Sequence, residues 1–170
     1  MNMVPLQLTN LEEQWEAYNS RSLVSHHPRF VPARNTTIAF FRLSKPLHAL
    51  RVALVSSGGV YPSAALPFDM QSQGGDDTVR WISGDTSTAD LRFAHDHYDH
   101  SDADRDPNCM FPLDRLRDLA AEGAIGSVAR WHAGLMGFIP NPSRFLEERV
   151  PEIIGRLRED NVDAIVLSPG

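Results

Sequence analysis

Short, dense apolar runs alternate along this chain with long polar stretches. The first clear run is Leu50-Arg51-Val52-Ala53-Leu54-Val55-Ser56. It is short, rich in β-branched residues and nearly all apolar, the pattern of a parallel strand buried on both faces. Ser57-Gly58-Gly59-Val60 follows at once. Glycines there let the backbone turn tightly and let a ligand approach its N–H groups, which makes Gly58 and Gly59 candidate substrate contacts. Neither the dinucleotide-binding nor the P-loop spacing is present, so a plain strand-to-loop turn fits equally. Residues 61–89 form a long loop rich in Gly, Pro and Asp, with a small strand, Val79-Arg80-Trp81-Ile82, inside it. Asp69 and Arg80 in this loop read as a surface pair in preference to a substrate contact.

Helical periodicity enters later. Leu113, Leu116, Leu119 and Ala120 recur at helical spacing, and Gly123 closes that helix. Ile125 to Val128 is a brief extended piece, and Trp131, His132 and Met136 fall in a loop rich in small residues. A second helix starts at Ser143, with Leu146, Val150, Ile153, Ile154 and Leu157 on its apolar face, and Pro151 should bend or interrupt it. Asp163-Ala164-Ile165-Val166-Leu167-Ser168 reads as a second buried strand. At the start of the chain, Asn10 to Tyr18 reads as a short capped helix and His26-His27-Pro28 as a solvated pair. Strand, loop, helix, strand in this order predicts an α/β domain with a doubly wound, mostly parallel sheet of the flavodoxin or Rossmann type. The expected division is an N-terminal helix and irregular arm over 1–49 and the first part of the α/β domain over 50–170. The last strand runs straight into Ser168-Pro169-Gly170, so the sheet is expected to be incomplete at its C-terminus, with a bare edge open to self-association.

Composition narrows the partners. The net charge is −6 and no basic stripe is visible, which disfavours nucleic acid and anionic membrane. One cysteine cannot form an internal disulfide, and no apolar run approaches the roughly 20 residues of a membrane span. A cytoplasmic protein is the expectation.

The chemistry concentrates between His95 and Pro112, H-D-H-Y-D-H-S-D-A-D-R-D-P-N-C-M-F-P. Three of the seven histidines, five aspartates and the single cysteine lie there, after the short apolar run Leu91 to Ala94. A solvated acidic loop has no need of the histidines, and a core segment does not tolerate unpaired carboxylates. Such density after a strand end points to a site. His95, His97, Asp99 and His100 satisfy the H-x-H-x-D-H pattern of metallo-β-lactamase-like hydrolases, whose nitrogen and carboxylate ligands suit zinc or iron. That fold needs long runs of strands on both sides, and His132 is the sole later histidine. Asp102-x-Asp104-x-Asp106 resembles the start of a calcium loop, but Pro107 and Leu113 occupy positions that require glycine and glutamate. Cys109 as a nucleophile is disfavoured by its acidic neighbours, which raise a thiol pKa.

Several blocks together resemble one family. V-A-L-V-S-S-G-G-V from Val52, P-F-D from Pro67, the whole of His95 to Leu116, A-E-G-A-I-G-S from Ala121 and V-D-A-I-V-L-S-P from Val162 are similar to the selenoprotein B family of glycine, sarcosine, betaine and D-proline reductases. The resemblance covers roughly residues 50 to 170. It implies reductive cleavage of a carbon–nitrogen bond in a small amine substrate. It further implies a pyruvoyl-bearing partner subunit, a dithiol electron donor, and a selenocysteine or cysteine nucleophile directly after the final strand. A selenolate is ionised at neutral pH where a thiol mostly is not. That nucleophile would fall just after Gly170, so the full-length form is expected to carry a selenocysteine there; a selenocysteine codon read as a stop, an engineered truncation and a shortened reading of the gene fit equally. His95, Tyr98 and Asp99 are candidates for orienting substrate or partner, and Asn108 for holding the loop. The alternatives are the metal-dependent hydrolase and a non-catalytic ligand- or partner-binding α/β domain.

Overall fold

The computed structural model describes residues 42–169. The helix expected over Asn10 to Tyr18 and the pair His26-His27 lie outside the described residues. Among the described residues no helix is long and apolar enough to cross a membrane.

The fold is α/β and its centre is β1, Arg51–Ser56. Its residues alternate between two cores, as pleating requires. Val52 and Leu54 face Leu113 and Leu116 of helix α2 (Leu113–Ala121), with Phe111 and Ile82. Ala53 and Val55 face Ile153 and Leu157 of helix α3 (Val150–Glu159). A helix therefore covers each face of β1, which is why its sequence is continuously apolar.

One edge of β1 pairs in parallel with β7, Ala164–Ser168, from Val52↔Ala164 to Ser56↔Ser168. The other edge pairs in parallel with two short strands, β5 (Ser127–Val128) and β6 (Trp131–Gly134). Beyond β6 lies β3, Arg80–Ser83, antiparallel to it, so the sheet is mixed and not wholly parallel. Strands β2 (Val60–Pro62) and β4 (Leu91–Phe93) make a separate antiparallel pair.

Four expectations need correction. The stretch Trp131 to Gly134 is a buried strand, not a loop. Its small residues reflect crowding: a Cβ on Gly134 would collide with the Val60 carbonyl. Periodicity cannot register this, because a strand of small residues has no apolar signature. The register also slips between β5 and β6, from Arg51↔Ser127 to Val55↔Ala133, so the β5–β6 side carries two more residues than β1. The imidazole of His132 fills the gap: its Nδ1 accepts the Leu54 N–H at 2.8 Å, in place of a backbone carbonyl.

Second, β7 has a core-strand sequence but is open to solvent, with Ile165 43%, Val166 44% and Leu167 74% exposed. Its one sheet neighbour among the described residues is β1. Third, Arg80 does not pair with Asp69. It donates to the Leu66 and Pro67 carbonyls, to Thr78 and to Asp76, while Asp69 caps Gln71. Fourth, the helix read from Ser143 is interrupted as expected, but one turn before Pro151 and not at it. A π-helical turn, Phe145–Arg149, precedes α3, which places Pro151 in the first turn of α3, where its missing N–H is harmless.

Candidate active site

The parallel strands place their C-terminal ends together, and the His95 to Pro112 segment folds across those ends. It leaves β4 at Ala94, whose N–H donates to the Gly59 carbonyl at 2.9 Å. Gly59 has φ +75, and a Cβ there would meet the Ala94 carbonyl carbon at 2.8 Å. Gly58 is required for a different reason. A Cβ would lie 2.7 Å from Met110 Cγ and 3.2 Å from the Tyr98 hydroxyl. The two glycines thus admit this chain's own loop to the end of β1, a close approach of backbone that only glycine permits.

Tyr98 and His95 form the inner layer. The Tyr98 hydroxyl donates to the Gly58 carbonyl at 2.7 Å. Burial, with Cys109 and Asp104 nearby, raises its pKa, so the phenol keeps its proton. His95 is buried, and its Nδ1 accepts the His97 N–H at 3.1 Å. The neutral ring therefore carries its proton on Nε2. Burial and the neighbouring His97 push its pKa down, which keeps it neutral at pH 7. Nε2 points to Gly137: a Cβ there would sit 3.2 Å from it and 3.0 Å from the Ser57 carbonyl. His97 stacks on Phe138 with ring centroids 4.3 Å apart.

Asp99 and His100 face elsewhere. Asp99 Oδ1 accepts the Ser101 N–H at the start of the short helix α1, Ser101–Arg105, and that bond lowers its pKa. His100 Nδ1 lies 2.8 Å from Asp104 on the same helix. The structure does not bring His95, His97, Asp99 and His100 together as one ligand set. Among the described residues, the group able to offer a metal three atoms within 4.8 Å of one another is His95, Asp96 and His97, of which the last two are exposed.

Asn108 is the knot of the loop. Its Oδ1 accepts the Asp114 N–H at 3.0 Å, and its Nδ2 donates to Asp106 at 3.0 Å and to Asp114 at 3.2 Å. Asp114 also binds Thr88 and Arg117, and Arg117 reaches the Gly84 and Thr86 carbonyls. Thr88 and Asn108 together hold the Asp114 carboxyl below the usual carboxylate range. Asn108→Ala is expected to lose about 0.5–1.5 kcal/mol, the net worth of hydrogen bonds among partly exposed groups. Hydrogen exchange should then accelerate at Asp114 and across 106–112 while β1 keeps its protection.

Strand β7 reaches the same place. The Ser168 carbonyl accepts the Ser57 N–H at 3.0 Å. The Ser168 hydroxyl donates to the Met110 carbonyl at 2.6 Å and lies 3.9 Å from Met110 Sδ. The end of the final strand is thus latched to the loop that holds the histidines.

The family model for glycine/sarcosine/betaine reductase selenoprotein B matches residues 34–169. The chain belongs to this family. It is 41% identical over 128 residues to the D-proline reductase subunit gamma of Acetoanaerobium sticklandii, covering 75% of this chain and 52% of that protein. It is 30% identical over 136 residues to the sarcosine reductase complex component B subunit beta of Peptoclostridium acidaminophilum, and equally to the glycine reductase complex component B subunit gamma of Carboxydothermus hydrogenoformans. Each of those covers 73% of this chain and 29% of the relative. The chain therefore spans about half the length of the first of these relatives and under a third of the others. No solved structure matches.

In this chain the His/Asp block read from sequence lies at the strand ends, with His95 and Tyr98 turned inward. Met110 and Ser168 were missed. A methionine in a loop gives no periodic signal, and the Ser168 contact spans 58 residues.

Proposed function

We propose that this chain forms the strand-end platform of a reductase subunit that cleaves the carbon–nitrogen bond of a small amine. The observation that carries this reading is the latch between Ser168 and Met110, which holds the end of β7 against the loop bearing His95 and Tyr98. Family resemblance puts the reactive residue directly after that strand. A selenocysteine there supplies a nucleophile that is ionised at neutral pH. The pyruvoyl-bearing partner subunit and the dithiol donor belong to the same reading. So does a doubly wound, flavodoxin-like sheet.

The chain's own contribution is positional. Neutral His95 presents an N–H on Nε2 beside Gly137, and in this reading it orients a substrate carboxylate or a partner backbone carbonyl. Tyr98 and Met110 pack close beside Gly58, which brings the loop onto the strand end. Asp99 acts one step removed, by starting the helix that carries the rest of the loop.

D-proline is the first substrate to assay, because the relative named for it shares 41% identity. Glycine, sarcosine and betaine serve as comparisons. In a full-length subunit assembled with its pyruvoyl partner, His95→Ala should lower dithiol-dependent turnover on the order of 10²-fold, the size expected when a positioning contact is lost. Ser168→Ala should lower it less, and subunit assembly should be unchanged in both. Wild-type turnover in both variants would remove the platform role and leave the loop structural.

A further inference from the structure

At the opposite end of the sheet a second site stands apart from the strand ends. Arg130 and Trp131 open β6, Arg156 lies on α3, and Asp160 follows α3 and binds Arg51 at the start of β1. These residues, with Pro151, Glu152, Gly155 and Glu159, line an open cleft of about 530 Å³. That is within the size range of small-molecule sites.

Arg156 is its distinctive feature. The guanidinium carbon lies 4.3 Å from the Trp81 ring centroid and 4.0 Å from that of Trp131. The two indoles, on neighbouring strands β3 and β6, fix the plane of the guanidinium and take water from its faces. Among the described residues no hydrogen bond or ion pair reaches its N–H groups. Among the described residues Arg80 also lies against a ring at under 5 Å, Phe68, and it donates to four partners. Arg156 is held as firmly and left without an acceptor.

The surrounding charge defines what fits. Glu152 is engaged by Trp81 Nε1 and by Arg149, and Asp160 by Arg51 and the Arg130 N–H. Arg156 and Arg130 therefore face one uncommitted lining carboxylate, Glu159. Glu159 offsets one of the two guanidinium charges, so the surplus is a single positive charge, which one monoanion neutralises. Gly155 has nothing within 4 Å of a would-be Cβ, so the floor beside Arg156 is open. A rigid planar fork with room for a single charge matches a carboxylate group.

We propose that the Trp81–Arg156–Trp131 stack is a carboxylate-binding site, separate from the strand-end platform and independent of the reading given for it. Two of the three tryptophans flank Arg156, so intrinsic fluorescence reports on it directly. Titration of the purified chain with sodium acetate, against sodium chloride at matched ionic strength, should give a saturable change absent with chloride. Arg156→Lys keeps the charge and a stacked cation but loses the fork, and should bind acetate about tenfold more weakly or worse. Arg156→Gln should abolish the response, with unfolding midpoints recorded alongside to confirm that each variant is folded. A hexaglutamate peptide that binds more tightly than acetate at equal carboxylate concentration assigns the site to an acidic segment of a partner, and equal binding assigns it to a free small acid. Three results overturn the proposal: no acetate effect beyond chloride, an unchanged response in folded Arg156→Lys, or a response to inorganic phosphate with none to acetate.

Discussion

Gly59→Ala should unfold the protein at a far lower denaturant concentration than a matched change at Gly123. Both glycines have positive φ, +75 and +73. An alanine in that conformation costs about 1–2 kcal/mol from its own Cβ. At Gly123, just past the end of α2, nothing lies within 4 Å of the added atom, so the loss should stop there. At Gly59 the added atom meets backbone, the Ala94 carbonyl, and backbone cannot rotate away as a side chain can. Gly59 is also bonded on both sides, its N–H to Leu135 and its carbonyl to Ala94. Relief would pull β2 from β4 or β1 from the stretch after β6. A combined loss of at least about 3 kcal/mol is expected, a large share of the roughly 5–15 kcal/mol that stabilises a domain. Urea unfolding of the two variants side by side measures it. Equal losses at the two glycines would mean that the β2–β4 pair is free to shift.

The second large effect is on pH. His132 is fully buried, and its pKa is lowered from 6.5 to about 4, by burial first and then by the Arg117 charge. Asp160 and the nearby Ala129 carbonyl offset only part of this. Nδ1 must stay unprotonated to accept the Leu54 N–H, and Nε2 has no hydrogen-bond partner. The unfolded chain binds the proton more readily than the folded one. The stabilisation is therefore complete above about pH 6.5 and is lost as pH falls from there toward 4. The loss across that window should approach about 3 kcal/mol. His132→Asn places an amide oxygen where Nδ1 stands and cannot titrate. It should be less stable at pH 7 because it leaves a void, yet show a flatter pH dependence between 6.5 and 4. The low pKa values of Asp76 and Asp114 act below that window, whereas the lowered pKa of His95 acts within it in wild type and variant alike, so the difference between the two profiles reports His132. A variant whose stability falls with pH as steeply as the wild type would assign the acid sensitivity to another group.

The sequence was most informative where periodicity and composition are strong. β1 declares itself because helices bury both its faces, and α2 because Leu113 and Leu116 repeat beneath a glycine stop. The His/Asp segment declares itself because ionisable groups rarely collect without cause. The remainder depends on contacts that one-dimensional pattern cannot encode. Gly134 is small because Val60 crosses it, which made a strand resemble a loop. β3 reads as a strand but not as an antiparallel one, since direction is set by partners far along the chain. Within the site, His97, Asp99 and His100 share the spacing of His95, yet only the fold separates the inward ring from the residues that stack on Phe138 or support a helix. His132 looked like an isolated histidine and proves to stand in for a backbone acceptor.

One consequence of the latch concerns Cys109. It is the single thiol of the chain, it is exposed, and it precedes the residue whose carbonyl receives the Ser168 hydroxyl. On the 170-residue chain a maleimide dye would therefore attach at one known position, a peptide bond away from the moving part if the strand end ever lets go. Its emission would track docking of another subunit in real time, with no engineered label needed.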